Sequence, residues 1–267
     1  MYRLVFCDLD GTVLTFQREL RPAVKAAMQA VVDRGHWITL SSGRGYQLLK
    51  PLLGRVPVNA PLVCCNGSLV VEPRTRRVLY LKPMPIDMAH SIVRWCQQSG
   101  EQVWVYLDDM ETVLEYSPTE PGATLRSDGA LQRIDDPISA ITRPPHKLFL
   151  LPGSPDRIPD VVSRLQRHVG DRARVLASSP KTIEVVLPGT SKAKAMALVA
   201  KHLGVSRQET MAAGDGDNDV EMLEWAGLGV AMGNATPAVK AVASWEAPSV
   251  DDDGLAIALR KFVLQQA

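Results

Sequence analysis

At 267 residues the chain is long for one compact domain and short for three, so one or two domains are expected. Its 46% hydrophobic and 22% charged content is ordinary globular composition, and a chain of this size buries a large core without disulfide staples. The net charge of +1 and the lack of any Lys/Arg block give no reason to expect a nucleic-acid or acidic-protein partner.

The four cysteines are Cys7, Cys64, Cys65 and Cys96. None forms a C-x-x-C pair, so they read as small apolar core residues of a reducing compartment. No charged stretch followed by an apolar run marks a signal peptide. No apolar run approaches the roughly 20 residues that span a bilayer. A soluble, cytoplasmic protein with no membrane partner is expected. Oligomeric state is not legible.

Taken in chain order, the start reads as βαβ. Tyr2–Cys7 is a short apolar run suited to a buried parallel strand. Pro22 suits a helix first turn, Val24, Ala27, Met28, Val31 and Val32 recur at helical spacing, and Gly35 closes the helix. Trp37–Leu40 is a second strand, running into Ser41-Ser42-Gly43-Arg44, and Leu62–Cys65 is a third, ending in Asn66-Gly67. From about Pro83 to Leu187 the pattern changes: a helix (Ile86–Gln98), a strand (Val103–Leu107), a long irregular stretch, a strand (Lys147–Leu151), a helix (Ile158–Val169) and two strand-like runs (Ala173–Ala177, Thr182–Val186). Pro83-Met84-Pro85 and Pro188-Gly189 bracket this segment. The tail then returns to the opening style. Ser191 caps a helix through Leu203 closed by Gly204, a strand at Thr210–Ala213 enters Gly214-Asp215-Gly216-Asp217-Asn218-Asp219, Val220–Trp225 is helical, and Leu228–Ala231 is a strand. The expected fold is α/β: a doubly wound, Rossmann-like parallel sheet formed by residues 1–82 and 188–267, with an inserted α+β domain at 83–187. One continuous α/β domain is the alternative.

In an open parallel sheet, ligands bind beyond the carboxyl ends of the strands, and four motifs follow strands or open helices here. In Asp8-Leu9-Asp10-Gly11-Thr12, alternation puts Asp8 and Asp10 on one side of an extended segment. Two such carboxylates repel unless a proton or a cation sits between them, and a hard cation such as Mg²⁺ suits oxygen ligands. Gly11 lets the backbone approach a ligand closely, although Asp-Gly also makes ordinary turns. Asp215 and Asp219 close a second acidic loop. It is no EF-hand, because the sixth position is Val220 rather than Gly and the twelfth Ala226 rather than Glu. It reads as lending carboxylates to a metal shared with Asp8, with Asn218 or Asp219 also capping the helix that follows. Ser42 and Gly43 offer a hydroxyl and N–H groups to a phosphate oxygen, a common turn composition in its own right. Lys192 is a cation in a helix first turn, a placement that opposes the dipole unless an anion docks there.

Together, Asp8-Leu9-Asp10-Gly11-Thr12, Ser42, Lys192 and Gly214-Asp215…Asp219 resemble, in order, the four signature motifs of the haloacid dehalogenase-like hydrolase superfamily. The insertion, Ser42-Gly43-Arg44, Asn66-Gly67, Gly233-Asn234-Ala235 and Asp253-Gly254 resemble its Cof-type phosphatase subfamily. Ser42 stands where that subfamily often has Thr, which keeps the hydroxyl, and Gly216-Asp217 departs from its usual pair.

The resemblance implies a Mg²⁺-dependent phosphatase acting on a small phosphorylated metabolite, sugar phosphates foremost. It implies Asp8 as nucleophile and Asp10 as general acid/base. Metal would be held by Asp8, the Asp10 carbonyl and Asp215, with Asp219 in support. Gly11, Ser42, Gly43, Lys192 and Asn218 would contact the phosphate. The inserted segment would act as a cap whose irregular stretch contacts the leaving group. Trp95 and Trp104 could stack on a sugar, although packing explains them too, and the five histidines show no ligand spacing. A phosphomutase with the same nucleophile and a receiver-like binding module are the competing readings. The first would need an acceptor hydroxyl, and the second has no use for Asp10 as an acid.

Overall fold

The computed structural model describes residues 1–107, 110, 112–118, 131–179 and 181–265. Its elements in chain order begin with β1 (Leu4–Cys7), α1 (Pro22–Asp33), β2 (Trp37–Leu40), α2 (Tyr46–Leu49), β3 (Leu62–Cys64), β4 (Leu69–Val71) and β5 (Val78–Leu81). Then come α3 (Ile86–Ser99), β6 (Gln102–Tyr106), β7 (Val113–Tyr116), β8 (Leu131–Arg133), α4 (Pro137–Ala140), β9 (Lys147–Leu151), α5 (Ile158–Val169), β10 (Arg174–Ser179) and β11 (Thr182–Val186). The chain closes with α6 (Lys192–Leu203), β12 (Thr210–Gly214), α7 (Val220–Trp225), β13 (Leu228–Ala231), α8 (Pro237–Val242), β14 (Trp245–Glu246) and α9 (Gly254–Phe262). The chain divides into two compact units, one of Met1–Arg44, Leu49–Tyr80 and Ser191–Ala267, the other of Gly45–Leu48 and Leu81–Thr190.

The first unit is built on a five-stranded sheet in the order β14-β13-β12-β1-β2, with every pair parallel. The apolar runs make these strands because each central one is buried on both faces, as β1 (LVFC) and β12 (TMAAG) are throughout. Leu4 and Phe6 pack with Met196 and Val199 of α6 and Met222 and Leu223 of α7. Alternation turns Val5 and Cys7 to the opposite face. The connection order reverses at β1, between β2 and β12, which makes the carboxyl end of β1 the switch point where open α/β sheets hold ligands. An isolated parallel bridge from Ser41 to Val63 brings β3 alongside β2. Strand β3 then turns back into β4 of a separate three-stranded sheet.

The second unit has a six-stranded sheet ordered β10-β11-β9-β6-β7-β8. Its pairs are antiparallel apart from β7 with β8. One face, carrying Val103, Val105, Leu148, Leu150, Ile183 and Val185, packs on α3 and α5. On the other face Lys147 and Glu184 form a buried ion pair at 2.9 Å, with Lys147 lying over the rings of Tyr106 and Phe149. Trp104 is buried here, donating to Glu115 at 3.2 Å and packing on Phe149. Trp95 packs against the α3–α5 core with Arg164 over its ring. Both tryptophans therefore serve packing. The irregular stretch expected between β6 and β9 contains β7, β8 and α4, and residues 108, 109, 111 and 119–130 of it, where leaving-group contacts were expected, lie outside the described residues.

Candidate active site

The first acidic motif begins where β1 ends. The strand stops at Cys7, and Val13 and Leu14 donate backbone N–H groups back to the Leu9 carbonyl. The turn therefore spans residues 9–14, while Asp8 still follows the sheet ladder, its N–H donating to the Ala213 carbonyl at 2.8 Å. Leu9 is fully buried, Asp8 is buried with 8% exposure, and the Asp10 side chain is 46% exposed. Gly11 adopts φ 87°, and a Cβ on it would stand 2.2 Å from Asp215 Oδ2, so no other residue fits between the two acidic loops.

Lys192 enters from the start of α6. Ser191 caps that helix through its hydroxyl, which accepts from the Lys194 N–H at 3.4 Å. The Asn66-Gly67 turn packs on the same point, since Gly67, at φ 95°, lies where a Cβ would fall 2.2 Å from the Ser191 carbonyl oxygen. Lys192 Nζ is buried and donates to Asp8 Oδ1 and Asp219 Oδ1, each at 2.5 Å. The helix-dipole conflict read from sequence is met by these two carboxylates. Burial alone would lower the Lys192 pKa, but the charges of Asp219 and Asp8 and the hydrogen bonds to them outweigh it and raise it.

The second acidic loop follows β12. Asp219 does not cap α7; its Oδ2 accepts the backbone N–H groups of Asp215 and Gly216 at 3.0 Å each, folding the loop back on itself. Both Asp219 oxygens are thus engaged. Asp215 commits Oδ1 to the Thr12 hydroxyl at 2.9 Å, and Asp8 commits Oδ1 to Lys192. Among the described residues, the acidic group close enough to hold a metal ion is Asp8, Asp215 and Asp219, with ligand atoms within 4.8 Å of one another. Three hard oxygen donors in that span fit a divalent cation such as Mg²⁺. The hydrogen-bond pattern leaves Asp8 and Asp215 as the better placed pair, each having one oxygen outside these bonds. Burial raises the Asp215 pKa to about 7, against the hydrogen bond from Thr12, with Asp219 adding to the rise. Burial also raises Asp8 well above the usual carboxylate range, partly offset by the charge of Lys192.

Ser42 is buried at the end of β2, where its hydroxyl accepts the Arg44 N–H at 3.1 Å. Gly43 follows it in the same turn. Asn218 donates its amide to Asn66 Oδ1 at 2.9 Å, so it is tied to the turn after β3 rather than used as a cap. The Asp10 carboxylate turns to Arg44, whose Nε donates to Oδ2 at 2.8 Å and whose Nη2 donates to Oδ1.

Four contributors to this geometry stand within the motifs read from sequence, which assign them no role. They are Thr12 on Asp215, Asn66 on Asn218, Arg44 on Asp10, and Asn234, which donates to the Gly11 carbonyl at 2.9 Å and accepts the Val250 N–H at 2.8 Å. All four lie beside residues already singled out, but their partners are distant in sequence. Thr236 adds a further tie, its N–H donating to the Asp215 carbonyl at 2.9 Å.

Buried carboxylates and a buried lysine beyond the switch point of an open parallel sheet are the arrangement of a doubly wound α/β ligand site. The family model for haloacid dehalogenase-like hydrolases matches residues 5–259, and the chain belongs to that family. It is similar to the HMP-PP phosphatase of Serratia proteamaculans, with 29% identity over 91% of this chain and 88% of the relative. It is also similar to the pyridoxal phosphate phosphatase YbhA of Escherichia coli, with 28% identity over 91% and 92%. Among solved structures it matches a haloacid dehalogenase-like hydrolase from Bacteroides thetaiotaomicron at TM-score 0.86, with 24% identity over 98% of this chain and 99% of that one. The chain is an enzyme of the phosphatase type. Among the described residues no helix is long and apolar enough to cross a membrane.

Proposed function

We propose that the chain hydrolyses a small phosphomonoester, sugar phosphates foremost, in a Mg²⁺-dependent reaction with Asp8 as nucleophile. The observation that carries this reading is Lys192 Nζ, buried and shared at 2.5 Å between Asp8 and Asp219, with Asp215 beside them. The lysine lowers the pKa of this carboxylate against its burial, which favours the anion that a nucleophile needs. The Asp8 oxygen attacks phosphorus, the bond to the ester oxygen breaks, and an aspartyl-phosphate forms. Asp10 gives its proton to the departing alcohol oxygen and later takes one from the water that attacks the aspartyl-phosphate. Mg²⁺ held by Asp8, Asp215 and the Asp10 carbonyl would offset negative charge on the transferring phosphoryl group. Lys192, Ser42, Asn218 and the N–H groups at Gly11 and Gly43 are suited to its equatorial oxygens. Asp219 holds Lys192 and the Asp215 loop. The second unit is proposed to select the leaving group.

The test is phosphate release from a panel of phosphomonoesters with Mg²⁺ and no acceptor sugar. The panel holds sugar phosphates, pyridoxal phosphate and 5-amino-6-(5-phospho-D-ribitylamino)uracil, the last named for a Bacillus subtilis relative 26% identical to this chain. Asp8→Asn should lose phosphate release with its circular dichroism unchanged. An Asp8→Asn protein that still turns over rejects the assignment.

A further inference from the structure

Arg44 closes the motif at the end of β2 without a part in the chemistry above. Its backbone is held twice, the N–H by the Ser42 hydroxyl at 3.1 Å and the carbonyl by the Cys65 N–H at 2.9 Å. From that fixed point the side chain reaches 34 positions back in sequence and grips both oxygens of Asp10 with Nε and Nη2. Asp10 itself is 46% exposed, so little packing restrains its carboxylate. An exposed ion pair contributes at most about 1 kcal/mol to stability, so the fold gives little reason for this fork. What the fork does supply is orientation: a planar, bidentate grip fixes a carboxylate in direction as well as position.

We infer that Arg44 is a positioning residue that holds the Asp10 carboxylate by the lone pairs facing the fork, so that the proton Asp10 passes to the leaving-group oxygen is carried on an oxygen lone pair turned away from Arg44; it acts through Asp10 and not on the phosphate. The inference rests on the reading of Asp10 as leaving-group acid. Misaiming an acid costs most where the leaving group needs its proton. A nitrophenolate departs without one, whereas a benzyl alkoxide does not.

The experiment compares kcat/KM, which covers steps up to leaving-group departure, for p-nitrophenyl phosphate and benzyl phosphate. Wild type, Asp10→Asn, Arg44→Gln and Arg44→Lys are measured with Mg²⁺. General acid catalysis contributes about 10²–10⁴-fold, so Asp10→Asn should lower the benzyl-to-nitrophenyl ratio by about that factor. Arg44→Gln should lower the same ratio by about 10–100-fold, the scale of a misplaced group. Arg44→Lys keeps the charge but not the fork, and should restore less than half of that loss on a logarithmic scale. A ratio unchanged in Arg44→Gln but lowered in Asp10→Asn overturns the role of Arg44 alone. A ratio unchanged in Asp10→Asn overturns the reading of Asp10, and the inference with it. Equal losses on both esters in Arg44→Gln would make Arg44 a phosphate contact and overturn the positioning role. Full restoration by lysine would make charge sufficient and do the same.

Discussion

Replacing Lys192 by Met tests how the acidic centre is held together. In the folded protein one buried ammonium lies 2.5 Å from both Asp8 and Asp219, and a third carboxylate, Asp215, lies within the same 4.8 Å cluster. Methionine matches the lysine stem but leaves the two carboxylates without a cation. Breaking a buried pair by removing one partner costs about 3–5 kcal/mol. The cluster has one means of relief, since burial already raises Asp8 well above the usual carboxylate range, and without Lys192 it should hold a proton to still higher pH. Relative to its unfolded chain, the folded variant then binds more protons than wild type over the pH range between the wild-type and variant Asp8 pKa values. A carboxyl whose folded pKa is raised contributes stability below that pKa and loses it as pH rises. The deficit of the variant should therefore grow by up to about 1.4 kcal/mol per pH unit. Urea unfolding in EDTA at pH 5.5 and pH 8.0 measures this directly. We expect a deficit of about 3–5 kcal/mol at pH 8.0 and a clearly smaller one at pH 5.5. A deficit below about 1 kcal/mol at pH 8.0, or the same deficit at both pH values, would refute the claim that Lys192 neutralises the cluster.

Two further outcomes follow from the same geometry. Burial raises Asp215 from 3.8 to about 7 in the metal-free protein, so a bound cation must displace a proton below neutrality. Calorimetric Mg²⁺ affinity should rise about tenfold per pH unit up to about 7 and then level off, and a flat profile from pH 5.5 to 8 would count against Asp215 as a ligand. Without metal, the same raised pKa means that the stability this carboxyl contributes at acid pH is lost as pH rises through about 7. Gly11→Ala would put a Cβ 2.2 Å from Asp215 Oδ2 at φ 87°. Backbone strain of about 1–2 kcal/mol is expected in melting experiments, with a loss of Mg²⁺ affinity because the Asp215 carboxylate must move. Wild-type Mg²⁺ affinity in that variant would show the loops to be less tightly apposed.

The sequence by itself determined the parallel core and the chemical types at its edge. Strands β1, β2, β12 and β13 are continuous apolar runs because both their faces are covered, so each is recognisable without its neighbours. The helix at Lys192–Leu203 is equally local, written in its Ser191 cap and the Gly204 that follows. Short strands such as β4, β5, β7, β8 and β14 were not legible, because two to four residues carry too little periodicity and pair only with partners brought in by the fold. The same holds within the site. That Asp8, Asp10, Lys192, Asp215 and Asp219 are its ionisable groups could be read from motifs. Which of them meet was decided by tertiary structure alone, since Lys192 reaches Asp8 across 184 positions and Thr12 reaches Asp215 across 203. Alternation set Asp8 and Asp10 two positions apart at the end of β1, but only the fold gives Asp8 to Lys192 and Asp10 to Arg44. Helix-cap propensity assigned Asp219 to α7, yet two unpaired N–H groups of its own loop and a buried lysine took both its oxygens. Buried polar groups must find partners, and the nearest partner in space is seldom the nearest in sequence.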